Sequence, residues 1–240
     1  ENPMVGGQPN IRFYAGCPIA GPGGHKLGTL CVIDSQPREL GEDERAHLRD
    51  LASMVEDELV MQEMAITDPL TGAFNRRYFE LQANQVRENW LRNRRPATLL
   101  LIDIDFFKRI NDRFGHAQGD AAIKGLVAVI SGRIRSVDTL FRFGGEEFVV
   151  LLSDTGLEPG VKVAEALRSL VENAGILPDG TMTVSIGVCD VAGADGLEHW
   201  LKLADGALYL AKRNGRNRVE VAVPEGIAHE PIAKSVPDWR

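Results

Sequence analysis

The stretch ATLLLIDIDFF, residues 97–107, constrains the fold more than any other part of the sequence. A strand with one face in water alternates apolar and polar side chains, and this run does not. It reads as a central strand buried on both faces, so helices must cover the sheet on each side. The following segments fit that demand. FKRINDRFG and GDAAIKGLVAVISGRIRS read as helices, and DTLFRF and EFVVLLS as an adjacent pair of strands. GVKVAEALRSLVENAG reads as a helix, MTVSIGVCDV as a strand, LEHWLKLADGALYLAKRNG as a helix ended by Gly215, and RVEVAV as a short last strand. Ahead of the central run, Asp68, Pro69 and Gly72 are turn and cap residues, and a helix follows them to about Arg95, stopped by Pro96. The order α, β, α, α, β, β, α, β, α, β gives an α/β (α+β) fold, a sheet surrounded by helices, and not a barrel or a sandwich.

Upstream, IRFYAGCPIA and KLGTLCVID are strand-like runs joined by GPGGH, a hairpin signal. After Pro37 and Gly41, acidic residues open a helix from about 42 to 66, as its dipole favours. Leu48, Ala52, Val55, Leu59 and Ile66 form a four-three seam interrupted by Gln62. That seam fits equally an amphipathic helix packed on the first unit or a short parallel coiled coil between two subunits. The tail from Pro224 has three prolines and little periodicity and reads as disordered. The organisation expected is 1–41, 42–66, 67–223 and a tail, 224–240.

Several classes are disfavoured. No apolar run approaches the ~20 residues of a membrane span, and no basic segment leads into an apolar core as in a signal peptide. The sequence opens ENPMV without an initiator Met and reads as a piece of a longer or processed protein. A formal net charge of -7 argues against broad binding to nucleic-acid backbones. The three cysteines, Cys17, Cys31 and Cys189, have no metal-site spacing and fit free thiols in a reducing cytoplasm.

Two apolar strands end in acid. One gives Asp103 and Asp105, which alternation puts on one face; the other, broken by Gly144 and Gly145, gives Glu146 and Glu147. Carboxylates at buried strand ends are costly unless paired or metal-bound. Asp103 and Glu146, with a backbone carbonyl, make a hard-oxygen set suited to magnesium. Asp105 stands just before a helix and reads as its cap. The glycine pair permits positive φ and lets a ligand approach the backbone. Arg142, just before it, reads as steadying the turn or its ligand. Unpaired N–H groups at Phe106 and Phe107, beside Lys108, suit an anion. Lys212, Arg213, Arg216 and Arg218 gather at a helix C-terminus and could add charge for an anion, but taken alone they read as dipole partners and solubilising charge. Asn111 and Asp120 have the donors and acceptors to read a guanine edge. His116, taken alone, reads as a helix-packing residue.

DPLTGAFNRR, DIDFFKRINDRFGHAQGD, RFGGEEF, TVSIGV and ADGALYLAKRNGRNR occur in the order and spacing of the GGDEF family, the diguanylate cyclases, which residues 67–222 resemble. Glu146 stands where the family name has Asp, so the motif is similar to the GGEEF variant. The resemblance implies a palm-like fold with a central, mostly antiparallel sheet, similar to adenylyl cyclases and polymerases. It implies two GTP molecules, held on two facing subunits of a homodimer, condensing to cyclic di-GMP and two pyrophosphates. By position it assigns catalysis to Asp103, Lys108, Glu146 and Glu147. Two magnesium or manganese ions per active site fall to Asp103, Glu146 and the carbonyl of Ile104. Substrate binding falls to Phe106, Phe107, Asn111, His116, Asp120, Gly144, Gly145, Lys212 and Arg216. RSVD resembles the family's RxxD inhibitory site for cyclic di-GMP, with Arg135, Asp138 and a second contact at Arg168; without the family it reads as a helix-end salt bridge.

The first 60 residues resemble the end of a GAF sensory domain, with two strands and the final helix present. The missing strands imply a truncated ligand pocket and exposed sheet edges. The alternative to an enzyme is a catalytically silent GGDEF domain that senses cyclic di-GMP or GTP; the presence of Asp103, Asn111, Asp120 and Glu146 together favours the enzyme. Asp120 as a guanine reader argues against adenine-containing products.

Overall fold

The structure, a computed structural model, describes residues 3–21 and 24–222. Pro22 and Gly23 of the first loop and the tail expected from Pro224 lie outside the described residues. The chain divides into two compact units, with the boundary between Thr67 and Asp68.

The first unit contains a four-residue helix α1 (Pro3–Gly6), strands β1 (Phe13–Ala20) and β2 (Lys26–Asp34), and helix α2 (Glu42–Ile66). The strands pair antiparallel as the hairpin signal requires. Helix α2 packs along β1, and Leu48 and Ala52 are buried. The upstream half of the seam therefore serves this unit, whereas Val55 is exposed. Tyr14, Leu27, Val32 and Ile33 of the two strands are also exposed.

The second unit runs β3 (Phe74–Asn75), α3 (Arg76–Asn93), β4 (Ala97–Ile104), α4 (Phe107–Phe114), α5 (His116–Ser131), β5 (Thr139–Gly144), β6 (Glu147–Ser153), α6 (Leu157–Asn173), β7 (Val184–Asp190), a 3-10 turn (Val191–Gly193), α7 (Leu197–Arg213) and β8 (Val219–Val221). Its six strands form one mixed sheet in the order β3-β5-β6-β4-β7-β8. The pairs around β4 are antiparallel, and the outer pairs β3–β5 and β7–β8 are parallel.

Strand β4 is buried along its whole length, and its alternate residues serve two cores. Leu100, Ile102 and Ile104 pack with residues of α4, α5 and α6 on one face; Ala97, Leu99 and Leu101 pack with residues of α3 and α7 on the other. Each such Leu or Ile contributes about 1.5–3 kcal/mol of burial. The second core closes on Trp200, whose indole N–H donates to the Cys189 carbonyl at 3.0 Å. Gly187 of β7 admits α7 to the sheet: a Cβ there would lie 2.2 Å from the Ala204 carbonyl oxygen. Burial pushes the Cys189 thiol up to about 12.

Three boundaries differ from expectation. Strand β3, two residues long, carries no periodic signal. Helix α5 starts at His116 because Gly115, at φ 84°, turns the chain sharply between α4 and α5. It stops at Ser131, and residues 132–138 turn toward β5. Among the described residues no helix is long and apolar enough to cross a membrane.

Candidate active site

The parity of β4 decides where its acids point. Asp103 follows Leu99 and Leu101 onto the face covered by α3 and α7, and only 4% of it is exposed. Directly opposite in register stand Glu147 on β6 and Ser185 on β7. Helix α7 lies over this face, and its Lys212 brings Nζ to 2.8 Å from Asp103 Oδ2. Two of the expected residues, some 110 positions apart, are thus an ion pair.

The hairpin carries the other acids. Strand β5 ends at Gly144 with a bulge after Arg142, and β6 resumes at Glu147, so Glu146 sits in the turn. Its carbonyl accepts from the Ile104 N–H at 3.3 Å, pinning the turn to the end of β4. Gly145 has φ 44°, and a Cβ at either glycine would meet nothing within 4 Å, so the turn borders open space. Arg142 donates from Nε and Nη2 to the Gly145 carbonyl and from Nη1 to Asp68. It steadies the turn itself.

The site holds more negative charge than it neutralises. Burial pushes the Asp103 carboxyl above its ordinary value; Lys212 opposes this and Asp105 adds to it. Desolvation and the Asp103 charge raise Glu146 and Glu147 as well. Asp205 of α7, which the sequence reading missed, is raised by burial against the pull of Lys212 and adds to the field at Glu147. Among the described residues no group of three His, Cys, Asp or Glu is placed to hold a metal by itself. Magnesium, however, takes one or two carboxylates and completes its shell with water and phosphate oxygens. Asp103, Glu146 and the Ile104 carbonyl fit such an ion: all three are hard oxygens, and burial together with the neighbouring negative charge raises both carboxyls.

Asp105 is not a helix cap. Phe106, left-handed at φ 56°, is the N-cap of α4 and no side chain caps the helix. Asp105 instead accepts from the hydroxyls of Thr183 and Ser185, both at 2.7 Å, and from the Asn217 N–H at 3.0 Å. These partners lie far along the chain, so the local pattern of an Asp before a helix was misleading.

At the start of α4 the N–H groups of Phe107 and Lys108 have no acceptor within the helix. The Phe107 side chain is buried in the core, whereas Phe106 and Lys108 are exposed. The Arg216 guanidinium lies 4.4 Å from the Phe106 ring centroid and that of Arg109 5.3 Å. Asn111 on α4 and Asp120 on α5 approach across the Gly115 corner. A Cβ on Gly119 would lie 1.9 Å from Asn111 Oδ1, so the Asn111 amide rests against the residue next to Asp120. His116 is exposed at the start of α5 and is not a helix-packing residue.

Elsewhere on this unit, Arg135 closes on Asp138 through Nε at 2.9 Å and Nη2 at 2.8 Å, and Nη2 also reaches the Ser153 carbonyl and the Thr155 hydroxyl. The Arg135 side chain is 57% exposed and that of Asp138 3%. The salt bridge of the plainer reading is present. Arg168 on α6 is engaged by Glu165, Glu172 and Asn217.

With this geometry in view, the family described as "Diguanylate cyclase, GGDEF domain" matches residues 65–218. The chain belongs to the GGDEF family. It is 42% identical over 168 residues to "Probable diguanylate cyclase DgcC" of Escherichia coli K12, covering 68% of this chain and 44% of that protein. The chain thus spans less than half the length of this and other curated relatives. Among solved structures, the coiled coil and GGDEF domain of DgcB from Caulobacter crescentus, in complex with c-di-GMP, superposes with a TM-score of 0.66 at 28% identity, covering 75% of this chain and 96% of that one. The active GGEEF domain of a diguanylate cyclase from Vibrio cholerae gives a TM-score of 0.58 at 33% identity, covering 62% of this chain and 97% of that one. The GGDEF palm-like α+β fold is that of these neighbours.

Proposed function

We propose that residues 67–223 are a diguanylate cyclase domain of the GGEEF type, which condenses two GTP into cyclic di-GMP and two pyrophosphates. The observation that carries this reading is the Asp103–Glu146–Glu147 edge with Lys212 laid across it. An acid cluster in excess of its cations is what the divalent metal accompanying a polyphosphate needs.

In this reading Asn111 and Asp120 hold the guanine, the amide pairing with acceptor and donor atoms and the carboxylate accepting from N1–H and the exocyclic amine. His116 stands at the same corner. Phe106, Phe107, Lys108, Lys212 and Arg216 surround the triphosphate, with the first-turn N–H groups of α4 directed at it. Gly144 and Gly145 let the nucleotide lie against the turn. Magnesium or manganese, two ions per active site, would be held by Asp103, Glu146 and the Ile104 carbonyl, where such ions lower the pKa of the ribose 3′-hydroxyl and neutralise the leaving pyrophosphate. Lys212 sits on a flexible stem and exchanges its partner from Asp103 to a phosphate oxygen as substrate arrives. Glu147 sets the local field. Catalysis is positioning and charge stabilisation.

One chain carries one such half-site, and the product joins two nucleotides, so activity belongs to a homodimer. Arg135 and Asp138 form the inhibitory product site: an arginine grips both phosphate and a guanine Hoogsteen edge, and Asp138 orients it. Residues 1–41 are read as the end of a GAF-like sensory domain, 42–66 as the signalling helix, and the protein as cytoplasmic, in keeping with its free cysteines. Incubating the dimeric, product-free protein with GTP and magnesium and separating the nucleotides by chromatography tests the reading. Cyclic di-GMP and pyrophosphate in a one-to-two ratio support it. A protein that binds cyclic di-GMP but leaves GTP intact would instead be the silent sensor.

A further inference from the structure

Two left-handed residues stand side by side after α7, Arg216 at φ 64° and Asn217 at φ 46°. Outside glycine this conformation is uncommon, less so for Asn, and a long side chain such as Arg keeps it only where the surroundings hold the backbone. For Asn217 they do. Its backbone N–H donates to Asp105 Oδ2 at 3.0 Å, its side-chain oxygen accepts from Arg168 Nη1 at 2.8 Å, and its amide nitrogen donates to Glu172 Oε1 at 2.8 Å. Arg168 is itself fixed by Glu172 at 2.8 Å and Glu165 at 2.9 Å. Asp105 is fixed by two hydroxyls on the β7 side. The contacts therefore run unbroken from α6, through Asn217, to the end of β4. With the next residue pinned through backbone and side chain, Arg216 is directed over the exposed Phe106 ring.

We propose that Asn217 is a positioning residue for nucleotide binding, held by Arg168 and Glu172 of α6 so that its neighbour Arg216 is aimed at the polyphosphate of a nucleoside triphosphate. The inference rests on the reading of Arg216 as a phosphate contact. An arginine on a free loop loses rotamer and backbone freedom when it grips a ligand, and one already fixed does not, so the brace shows as affinity. Arg168 then supports the substrate site from α6.

The test is calorimetric titration of the full chain, in EDTA, with α,β-methylene-GTP and with guanosine monophosphate. Asn217→Gly keeps the left-handed backbone accessible and removes the side-chain bridge. Arg168→Met removes the same bridge from α6. Both are expected to weaken the triphosphate analogue, Asn217→Gly by about tenfold, and to leave the monophosphate unchanged. Arg216→Ala is expected to weaken the analogue similarly, and adding Asn217→Gly to it to cost nothing more, since the two act as one unit. Wild-type affinity in both bridge variants, additive losses in the double variant, or equal losses for the two ligands would overturn the positioning role while leaving Arg216 as a phosphate contact. Wild-type affinity in Arg216→Ala would overturn both.

Discussion

Arg142 reaches from the turn between β5 and β6 to Asp68, its Nη1 2.9 Å from Asp68 Oδ1, while its Nε and Nη2 donate to the Gly145 carbonyl at 3.2 and 2.8 Å. Asp68 also accepts from the Thr71 N–H and hydroxyl. One guanidinium, 74 residues along the chain from Asp68, thus ties the DPLTG turn to the glycine turn, and it braces the turn that carries Glu146.

Replacing Arg142 by Ala is expected to cost about 2 kcal/mol, a half-buried acceptor losing its charged donor, and to lower Tm by about 6 °C. Partial burial raises the Asp68 carboxyl, but bonds from Thr71 and Arg142 outweigh it and hold the group below 3.8. A lowered acid contributes stability that is complete above its unfolded value and is lost as pH falls through the folded one. The Tm gap between wild type and variant should therefore narrow below about pH 3.8. Scanning calorimetry at several pH values reads this; a gap independent of pH would contradict it.

Glu146→Gln should stabilise the protein while abolishing turnover. Desolvation and the Asp103 charge raise Glu146 above 4.5. Its proton is bound more tightly in the folded state, so the stability it contributes is present below 4.5 and lost as pH rises through the raised value. At neutral pH the ionised group is a cost that Gln removes, so Tm should rise, by a small amount because solvent screens the charge at this partly exposed position. Millimolar magnesium should raise the Tm of wild type more than that of the variant. A variant less stable than wild type at pH 7 would refute the charge argument.

Gly119→Ala places a methyl where Asn111 Oδ1 now lies. The helix itself favours Ala, so folding is kept and the amide is displaced. KM for GTP is expected to rise about tenfold, with discrimination against ATP falling in step. Unchanged kinetics would remove Asn111 from guanine recognition.

Arg135→Ala is expected to raise the cyclic di-GMP concentration needed for half-inhibition at least about tenfold, with the uninhibited rate preserved. The lost bonds to Ser153 and Thr155 should lower Tm by a few degrees, on the order of 1 kcal/mol. Inhibition that survives the change would place the product elsewhere.

What was legible in the sequence was whatever has a local cause. The unbroken apolar run of β4 announced a two-faced strand, alternation put Asp103 and Asp105 on one face, and the Gly-Gly break announced the hairpin. Long-range pairings were not legible. An Asp before a helix reads as a cap, yet Asp105 is claimed by Thr183, Ser185 and Asn217, which only the sheet brings near. Lys212 at a helix end reads as a dipole partner until α7 is laid over β4. Strand β3 exists because β5 offers it an edge, and its two residues have no period to detect.

For an Asp103–Glu146 edge acting in a dimer, the most direct test is initial-rate cyclic di-GMP formation from GTP and magnesium, comparing wild type with Asp103→Asn and Glu146→Gln on dimeric protein freed of bound product. The prediction is turnover by wild type and a loss of at least about a hundredfold in each variant, with both variants still folded. Absence of cyclic di-GMP from wild type, or retained turnover in either variant, would contradict it.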